Sequence, residues 1–102
     1  MARRLRWTEA AALDLEEAAL FIARDSPFYA AALVRETRAA ATSLKLLAER
    51  GRRVPEAGSS AIREIHVQSY RLIYEIRPEA VVLLAFVHGA RDLGLLWAKR
   101  HP

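Results

Sequence analysis

The sequence predicts an α+β fold in which antiparallel strands pack against an N-terminal helical hairpin, in the order β-α-α-β-β-β. In the first half of the chain, apolar residues recur every three or four positions, as they do in amphipathic helices. The second half holds three strand-like runs separated by short connectors. No repeat or low-complexity linker divides the 102 residues, so we expect one domain that spans residues 1–102.

The chain begins with a predicted strand and a predicted helix. Apolar residues alternate with arginines in RRLRWT, residues 3–8, which is typical of a short strand. Thr8 is suited to cap a helix over residues 9–24. The apolar stripe of this helix consists of Ala11, Leu15, Ala18, Ala19 and Ile22. Leu13 and Leu20 lie on its other side, so we expect the second helix or a partner protein to cover them.

The second helix begins at a capping signal. Ser26 can accept a hydrogen bond from a free N–H group, and Pro27 fits the first helical position. The apolar face of the helix consists of Leu33, Thr37, Ala40, Leu44 and Leu47. We expect the helix to run to Arg50 and to end at Gly51 as a left-handed C-cap. The short connection makes the two helices an antiparallel hairpin, and their alanines allow a close approach.

Residues 62–67, 70–77 and 81–87 are predicted strands, and their short connectors make them antiparallel neighbours. The middle run has one face of Tyr70, Leu72, Tyr74 and Ile76 and another of Arg71, Ile73, Glu75 and Arg77. We expect the first face to meet the helices and the second to carry charge. The third run is continuously apolar, which indicates an interior strand. The tail over residues 91–100 can add one or two helical turns.

Composition excludes several classes of protein. The chain has no cysteine, so it has neither disulfides nor thiolate metal ligands, and a reducing compartment such as the cytoplasm suits it. We expect a soluble protein without a membrane association, because no secretory signal or run of about 18 apolar residues is present. The net charge of +4 is carried mostly by arginine, which grips phosphate and carboxylate groups. A GC-rich genome explains the same excess equally well.

Four segments together resemble the RelE/ParE superfamily of bacterial toxins, most closely its ParE-like branch. They are SPFYAAALV at residues 26–34, GRRVPE at 51–56, REIHVQSYRLIYEI at 63–76 and VHGARDL at 87–93. The residues of the family motif are Gly51, Arg52, Val54, Pro55, Glu56, Arg63, Glu64, Tyr70, Arg71, Tyr74, His88, Gly89, Arg91 and Asp92. The resemblance spans nearly the whole chain, and it makes GRRVPE the link between the helical hairpin and the sheet.

The resemblance implies a small twisted antiparallel sheet, and a ParD-like antitoxin whose C-terminal segment wraps the toxin. Operator DNA would then be bound only through the antitoxin. ParE-like members are poisons of DNA gyrase, whereas RelE-like members cut messenger RNA on the ribosome. No metal or nucleotide cofactor is implied, since the chain has no glycine-rich phosphate loop, zinc spacing or nucleophile elbow.

The residues favour the gyrase poison over the ribonuclease. Arg71 and Arg91 occupy the positions of two arginines that serve the phosphate in ribonuclease members. The lysines of those members are absent, however, and Glu64 and His66 stand on the corresponding strand. Trp97 lies where they place a functional tyrosine. We therefore expect a gyrase inhibitor, with an endoribonuclease and a degenerate, non-toxic antitoxin-binding module as the alternatives.

Each candidate residue also has a structural interpretation. His66 fits a partly buried histidine paired with a neighbour, and His88 fits a side chain that bonds backbone at a turn, although either could serve as an acid-base group in a ribonuclease. Exposed ion pairs contribute only about 0–1 kcal/mol each to the free energy of unfolding. Such pairs could form between the arginines Arg63, Arg71, Arg77 and Arg91 and the acids Glu64, Glu75, Glu79 and Asp92.

The loop residues Arg52, Arg53 and Glu56 could simply be solvated. For the antitoxin we predict a surface made of Leu13, Leu20, Arg52, Arg53 and Arg71.

Overall fold

The computed structural model describes residues 2–100 and confirms the predicted α+β class. The helices are α1 (Glu9–Ala23), α2 (Pro27–Ser43) and α3 (Leu93–Arg100). The strands are β1 (Arg4–Trp7), β2 (Arg52–Arg53), β3 (Ile62–Val67), β4 (Tyr70–Ile76) and β5 (Ala80–His88). Two short 3₁₀ turns, Ala48–Arg50 and Pro55–Ala57, flank β2. The predicted C-terminal turns are thus a helix of eight residues.

The five strands form one mixed sheet in the order β1-β5-β4-β3-β2. The pairs β2–β3, β3–β4 and β4–β5 are antiparallel, as the short connectors predict. The expectation of a purely antiparallel sheet is wrong at one edge, where β1 runs parallel to β5 with Arg4 opposite Ala80. Connector length predicts the relative direction only of strands that follow each other closely in the sequence. The whole helical hairpin separates β1 from the other strands along the sequence, so its direction could not be predicted in this way.

Both helices of the hairpin begin at the predicted caps. The Thr8 hydroxyl accepts a hydrogen bond from the Ala11 N–H group at 3.1 Å and donates one to the Leu83 carbonyl at 2.7 Å, so it caps α1 and joins it to β5. The Ser26 hydroxyl accepts a hydrogen bond from the Tyr29 N–H group at 3.2 Å. These caps are local features of the sequence, which is why they could be predicted.

The predicted end of the second helix is wrong. Helix α2 stops at Ser43, and Leu47 is 59 % exposed instead of lying on its buried face. Gly51 has φ −77° and ψ 156°, an extended conformation, so it is not a left-handed cap. Glycine is required there for another reason. A Cβ atom at Gly51 would meet the hydroxyl of Tyr74 and would lie 2.7 Å from the carbonyl oxygen of Glu64.

The sheet is covered on both faces. On the hairpin face, Tyr70, Leu72 and Tyr74 pack with apolar residues of α1 and α2, as predicted. On the opposite face, which we call the α3 face, Ile73 is fully buried in a second core with Leu93 of α3. That face is therefore less open than the sequence suggested, because α3 covers its centre. Charged side chains remain along its margins.

An ion pair joins the end of the chain to the hairpin. The Asp14 carboxylate of α1 accepts two hydrogen bonds from the Arg100 guanidinium, at 2.8 and 3.0 Å. The same carboxylate accepts a hydrogen bond from the Phe86 N–H group of β5 at 3.0 Å. Asp14 thus ties α1, β5 and α3 together. Within residues 2–100, no helix is long and apolar enough to cross a membrane.

Candidate functional site

A buried carboxylate organises the motif residues on the α3 face. The side chain of Glu64, in β3, is completely buried. It accepts a hydrogen bond from Arg52 Nε of β2 at 2.8 Å, and another from Arg71 Nε of β4. Arg71 Nη2 also lies 3.5 Å from Glu56 Oε1, in the turn after β2. Two acids and two arginines thus form one network, which we call the Glu64 network.

The Glu64 network stabilises the charged forms of Glu64 and Arg71. Burial alone would raise the pKa of Glu64, but hydrogen bonds and positive charge from Arg71 and Arg52 outweigh it and lower that pKa. The hydrogen bond to Glu64 raises the pKa of Arg71 further above its usual value. The Arg71 side chain is only 11 % exposed. The guanidinium therefore already has two carboxylate partners, and little of the side chain faces solvent.

The contacts of the GRRVPE segment, residues 51–56, explain several of the residue types that link the helical hairpin to the sheet. Gly51 passes against Tyr74, whose hydroxyl accepts a hydrogen bond from the Gly51 N–H group at 3.0 Å and donates one to the Ala48 carbonyl at 2.6 Å. Arg52 and Glu56 then enter the Glu64 network. Burial raises the pKa of the Tyr74 hydroxyl, although the Gly51 N–H group partly opposes the shift.

The remaining residues of the segment have separate positions. Val54 is buried in the second core, and Pro55 begins the turn that carries Glu56. Arg53 is exposed on β2. Arg63, its partner in the strand register, donates to the carbonyls of Gly51 and Ser60 instead of forming the predicted ion pair.

The second motif, VHGARDL, forms the turn from β5 into α3. His88 Nδ1 accepts a hydrogen bond from the Ala90 N–H group at 3.1 Å, so the predicted backbone contact at a turn is confirmed. The Gly89 N–H group donates to the Ser69 carbonyl at 2.8 Å. Asp92 accepts from the Leu95 N–H group at 3.1 Å in the first turn of α3. Arg91 is exposed and makes no ion pair within residues 2–100.

The expectation of a partly buried His66 is wrong. His66 is exposed on β3, directly opposite Arg71 in the strand register, because its part of the α3 face lies beyond the cover of α3. Trp97 lies on α3, partly buried against the second core. Of the predicted arginine pairs, the Arg71 pair with Glu64 and the Arg77 pair with Glu75, at 2.8 Å, are present. The Arg71 pair is buried and not exposed as expected.

Apolar residues of the hairpin line an open groove of about 590 Å³ between α1 and α2. Leu20, which is 61 % exposed, belongs to its wall together with Trp7, Leu15 and Val34. Leu13 is 47 % exposed on the same helix. Sequence analysis identified the exposed leucines but missed the groove. The groove could have been predicted from the alanines of both helices, because their small side chains leave space between the helices. The alanines that line the groove are Ala12, Ala19, Ala23, Ala30 and Ala31.

The structure therefore brings together only part of the predicted antitoxin surface. Arg52 and Arg71 meet at Glu64, whereas Leu13 and Leu20 lie on α1. Sequence analysis missed Asp14, whose link to Arg100 spans 86 positions of the chain. No group of His, Asp or Glu side chains in the described part of the chain could hold a metal ion.

A family model matches most of the chain and describes a ParE toxin of a type II toxin-antitoxin system, parDE; the match covers residues 5–93. A chain of a chromosomal ParDE toxin-antitoxin system from P. aeruginosa has a similar structure, with a TM-score of 0.69 and 18 % identity over 85 % of this chain and 96 % of that one. A chain of the toxin-antitoxin complex RelBE2 from Mycobacterium tuberculosis has a TM-score of 0.54 and 22 % identity over 86 % of this chain and 99 % of that one. No curated protein sequence matches.

Proposed function

This chain belongs to the ParE toxin family of type II toxin-antitoxin systems, and from that premise we propose that it inhibits DNA gyrase and so arrests growth until an antitoxin neutralises it. Membership of the family supports the role of toxin and the existence of an antitoxin partner. The choice of gyrase as the target is the proposal.

The observation that carries this proposal is the state of Arg71. A ribonuclease that activates the 2′-hydroxyl needs a proton acceptor, a proton donor and positive charge at the phosphate. In this chain the guanidinium of Arg71 is neutralised by Glu64 and Glu56, and its side chain is 11 % exposed. Arg91 alone of the two phosphate-site candidates is available to solvent. A phosphate would therefore find half of the expected positive charge.

The groups for proton transfer are also few. His88 Nδ1 is occupied by a backbone N–H group, and Trp97 has no hydroxyl. Among the described residues, His66 is exposed and near Arg71 in the register, so its imidazole could take part. Acid-base groups supply about a hundredfold to ten-thousandfold each, so an incomplete set makes a slow enzyme. For this reason we place Arg71, Arg91, His66 and His88 outside any catalytic role.

A gyrase poison needs no such chemistry. It has to bind the cleaved complex of gyrase and DNA more tightly than the resealed one, and the difference in binding free energy sets the population of broken DNA. The exposed apolar residues of the hairpin offer a surface of that kind.

We propose that the antitoxin covers the hairpin groove with an apolar segment and places acidic residues near Arg52 and Arg53. Both arginines are exposed, whereas Arg71 is held by Glu64 and contributes less than the sequence suggested. Buried apolar area would dominate the affinity at about 25 cal/mol per Å², and charge would set the association rate. The site of action would be the cytoplasm, where gyrase acts.

Two assays on one preparation test the proposal. We expect the protein to block supercoiling of a relaxed plasmid by gyrase, and to leave messenger RNA on translating ribosomes intact when primer extension maps its ends. Codon-phased cuts in the decoding site with normal supercoiling would establish the ribonuclease instead. In that case Arg71→Ala and Arg91→Ala should abolish the cuts. If neither assay responds and expression without antitoxin leaves growth unchanged, the chain is a non-toxic antitoxin-binding module.

A further inference from the structure

An arginine-lined groove lies at the β1 edge of the sheet, away from the Glu64 network. It has a volume of about 620 Å³, and its charged walls are formed by Arg4, Arg6, Arg77 and Glu79. Leu5 and Trp7 of β1 pack into the hairpin core, so the alternation of the strand turns Arg4 and Arg6 toward the α3 face. Both arginines are exposed.

The backbone beneath this groove is firmly held. The Arg4 N–H group donates to the Glu79 carbonyl at 2.9 Å, and Arg3 Nε donates to the Arg77 carbonyl at 2.9 Å. Arg4 and Arg6 also pair with Ala80 and Val82 in the parallel ladder with β5. The two guanidinium groups therefore project from a fixed scaffold. Their attachment points are about 7 Å apart along the strand, close to the separation of neighbouring phosphates on one nucleic-acid strand.

The charge of this corner is strongly positive for its size. Among the described residues, this corner holds Arg3, Arg4, Arg6 and Arg77 together with two acids, Glu75 and Glu79. Of the four arginines, only Arg77 is in an ion pair, with Glu75 at 2.8 Å, among the described residues. Half of the net charge of +4 of the whole chain is therefore concentrated in this corner. Such a concentration attracts a polyanion, because the two acids of the corner offset only half of its four positive charges.

The lining favours a duplex over a single strand. Proteins that bind single strands stack the bases on aromatic side chains. The groove contains no aromatic residue, and its uncharged lining is Leu5, Pro78, Ala80 and Val82. Its chemistry therefore suits contacts to phosphate groups without contact to bases, which is how proteins hold the backbone of duplex DNA.

We propose that the groove formed by Arg4, Arg6 and Arg77 binds the phosphate backbone of duplex DNA without sequence preference. The chain then contacts DNA directly, in addition to any contact made through an antitoxin. This inference does not depend on gyrase as the target. It would nevertheless place the toxin next to the DNA of a gyrase complex.

The test is fluorescence anisotropy of a labelled DNA duplex of about two helical turns, titrated with the antitoxin-free protein over a series of salt concentrations. Two to three phosphate contacts predict that log K falls with log salt with a slope of about −2 to −3. The double variant R4Q/R6Q keeps the aliphatic stems but loses both charges. This variant should bind the duplex at least about tenfold more weakly at low salt, and its plot of log K against log salt should be less steep by about 2.

The matched control is R35Q/R38Q, which removes two exposed arginines of α2 and leaves the groove intact. It should keep the affinity and the slope of the unchanged protein. The proposal is overturned if the unchanged protein does not bind the duplex, or if R4Q/R6Q binds as well as the control. Tighter binding of a single-stranded RNA of equal length through the same arginines would overturn the choice of DNA.

Discussion

The Glu64 carboxylate is buried and charged, and its environment makes stability depend on pH. Its lowered pKa means that the folded protein keeps this group ionised to a lower pH than the unfolded chain does. Its stabilising effect is therefore complete above the usual glutamate pKa of about 4.3, and is lost as the pH falls through the lowered value in the folded state.

We predict that Glu64→Gln lowers the free energy of unfolding at neutral pH by about 2–4 kcal/mol, because Arg71 and Arg52 lose their buried partner. The difference between the two proteins should shrink as the pH falls below about 4. Chemical denaturation across this pH range measures both effects. Glu36→Gln, at an exposed position of α2, is the control and should change stability by less than about 0.5 kcal/mol. A constant difference at all pH values would contradict the assignment.

The Tyr74 hydroxyl is the second residue with a specific prediction. It satisfies one buried N–H group and one buried carbonyl, at Gly51 and Ala48. Tyr74→Phe leaves both without a partner and should cost about 1–3 kcal/mol, measured by thermal or chemical unfolding. Tyr29→Phe removes an exposed hydroxyl and should be neutral. Equal effects of the two substitutions would show that the Tyr74 bridge is not formed.

Helix α3 is the element whose attachment can be tested most simply. Its inner side contributes Leu93 and Leu96 to the second core, and its end is fixed by the pair of Arg100 with Asp14. We predict that Arg100→Gln speeds hydrogen exchange of the α3 amides while those of α1 stay protected, since only the tether is lost. Lys99→Gln is the matched control, because it removes an exposed positive charge from the same last turn. Unchanged exchange in both variants would contradict a role for the tether.

The sequence predicted the elements whose signals are local. Thr8 and Ser26 mark helix starts because each hydroxyl binds an N–H group three residues away. Prediction from the sequence failed where a residue far away in the chain determines the local structure. Gly51 is a glycine because Tyr74, 23 positions later, passes over it. The burial of Glu64 could not be predicted for the same reason, because its arginine partners come from the two neighbouring strands. The parallel pairing of β1 with β5 also depends on residues that are far apart in the sequence.

The surface proposed for the antitoxin has two parts, the hairpin groove and the exposed arginines of β2. Replacing Leu13 and Leu20 by serine should weaken binding of the antitoxin by at least about tenfold, since each buried leucine contributes about 1.5–3 kcal/mol. Titration calorimetry with the cognate antitoxin measures this. The control is Leu46→Ser with Leu47→Ser, two exposed leucines beyond α2. A loss of affinity only in the control would place the surface elsewhere.

A change of salt concentration should affect the apolar and the charged parts of the proposed antitoxin surface differently. Raising the salt concentration should slow association with the antitoxin much more than it speeds dissociation, because screening acts on the approach and not on the buried apolar contact. Stopped-flow or surface-based kinetics at several salt concentrations measures both rates. An equal effect on the two rates would indicate that ion pairs hold the complex together.

We propose that this toxin acts on gyrase and cleaves no RNA, and the trapping of broken DNA tests this proposal. Gyrase, plasmid and increasing amounts of the toxin are incubated and then quenched with detergent, and the linear plasmid is quantified before and after protease treatment. We predict that linear, protein-bound plasmid rises with the toxin concentration only when gyrase is present, because a gyrase poison has to bind the cleaved complex more tightly than the resealed one. Plasmid that remains circular at saturating toxin, from a preparation that cuts messenger RNA on ribosomes, would contradict the claim.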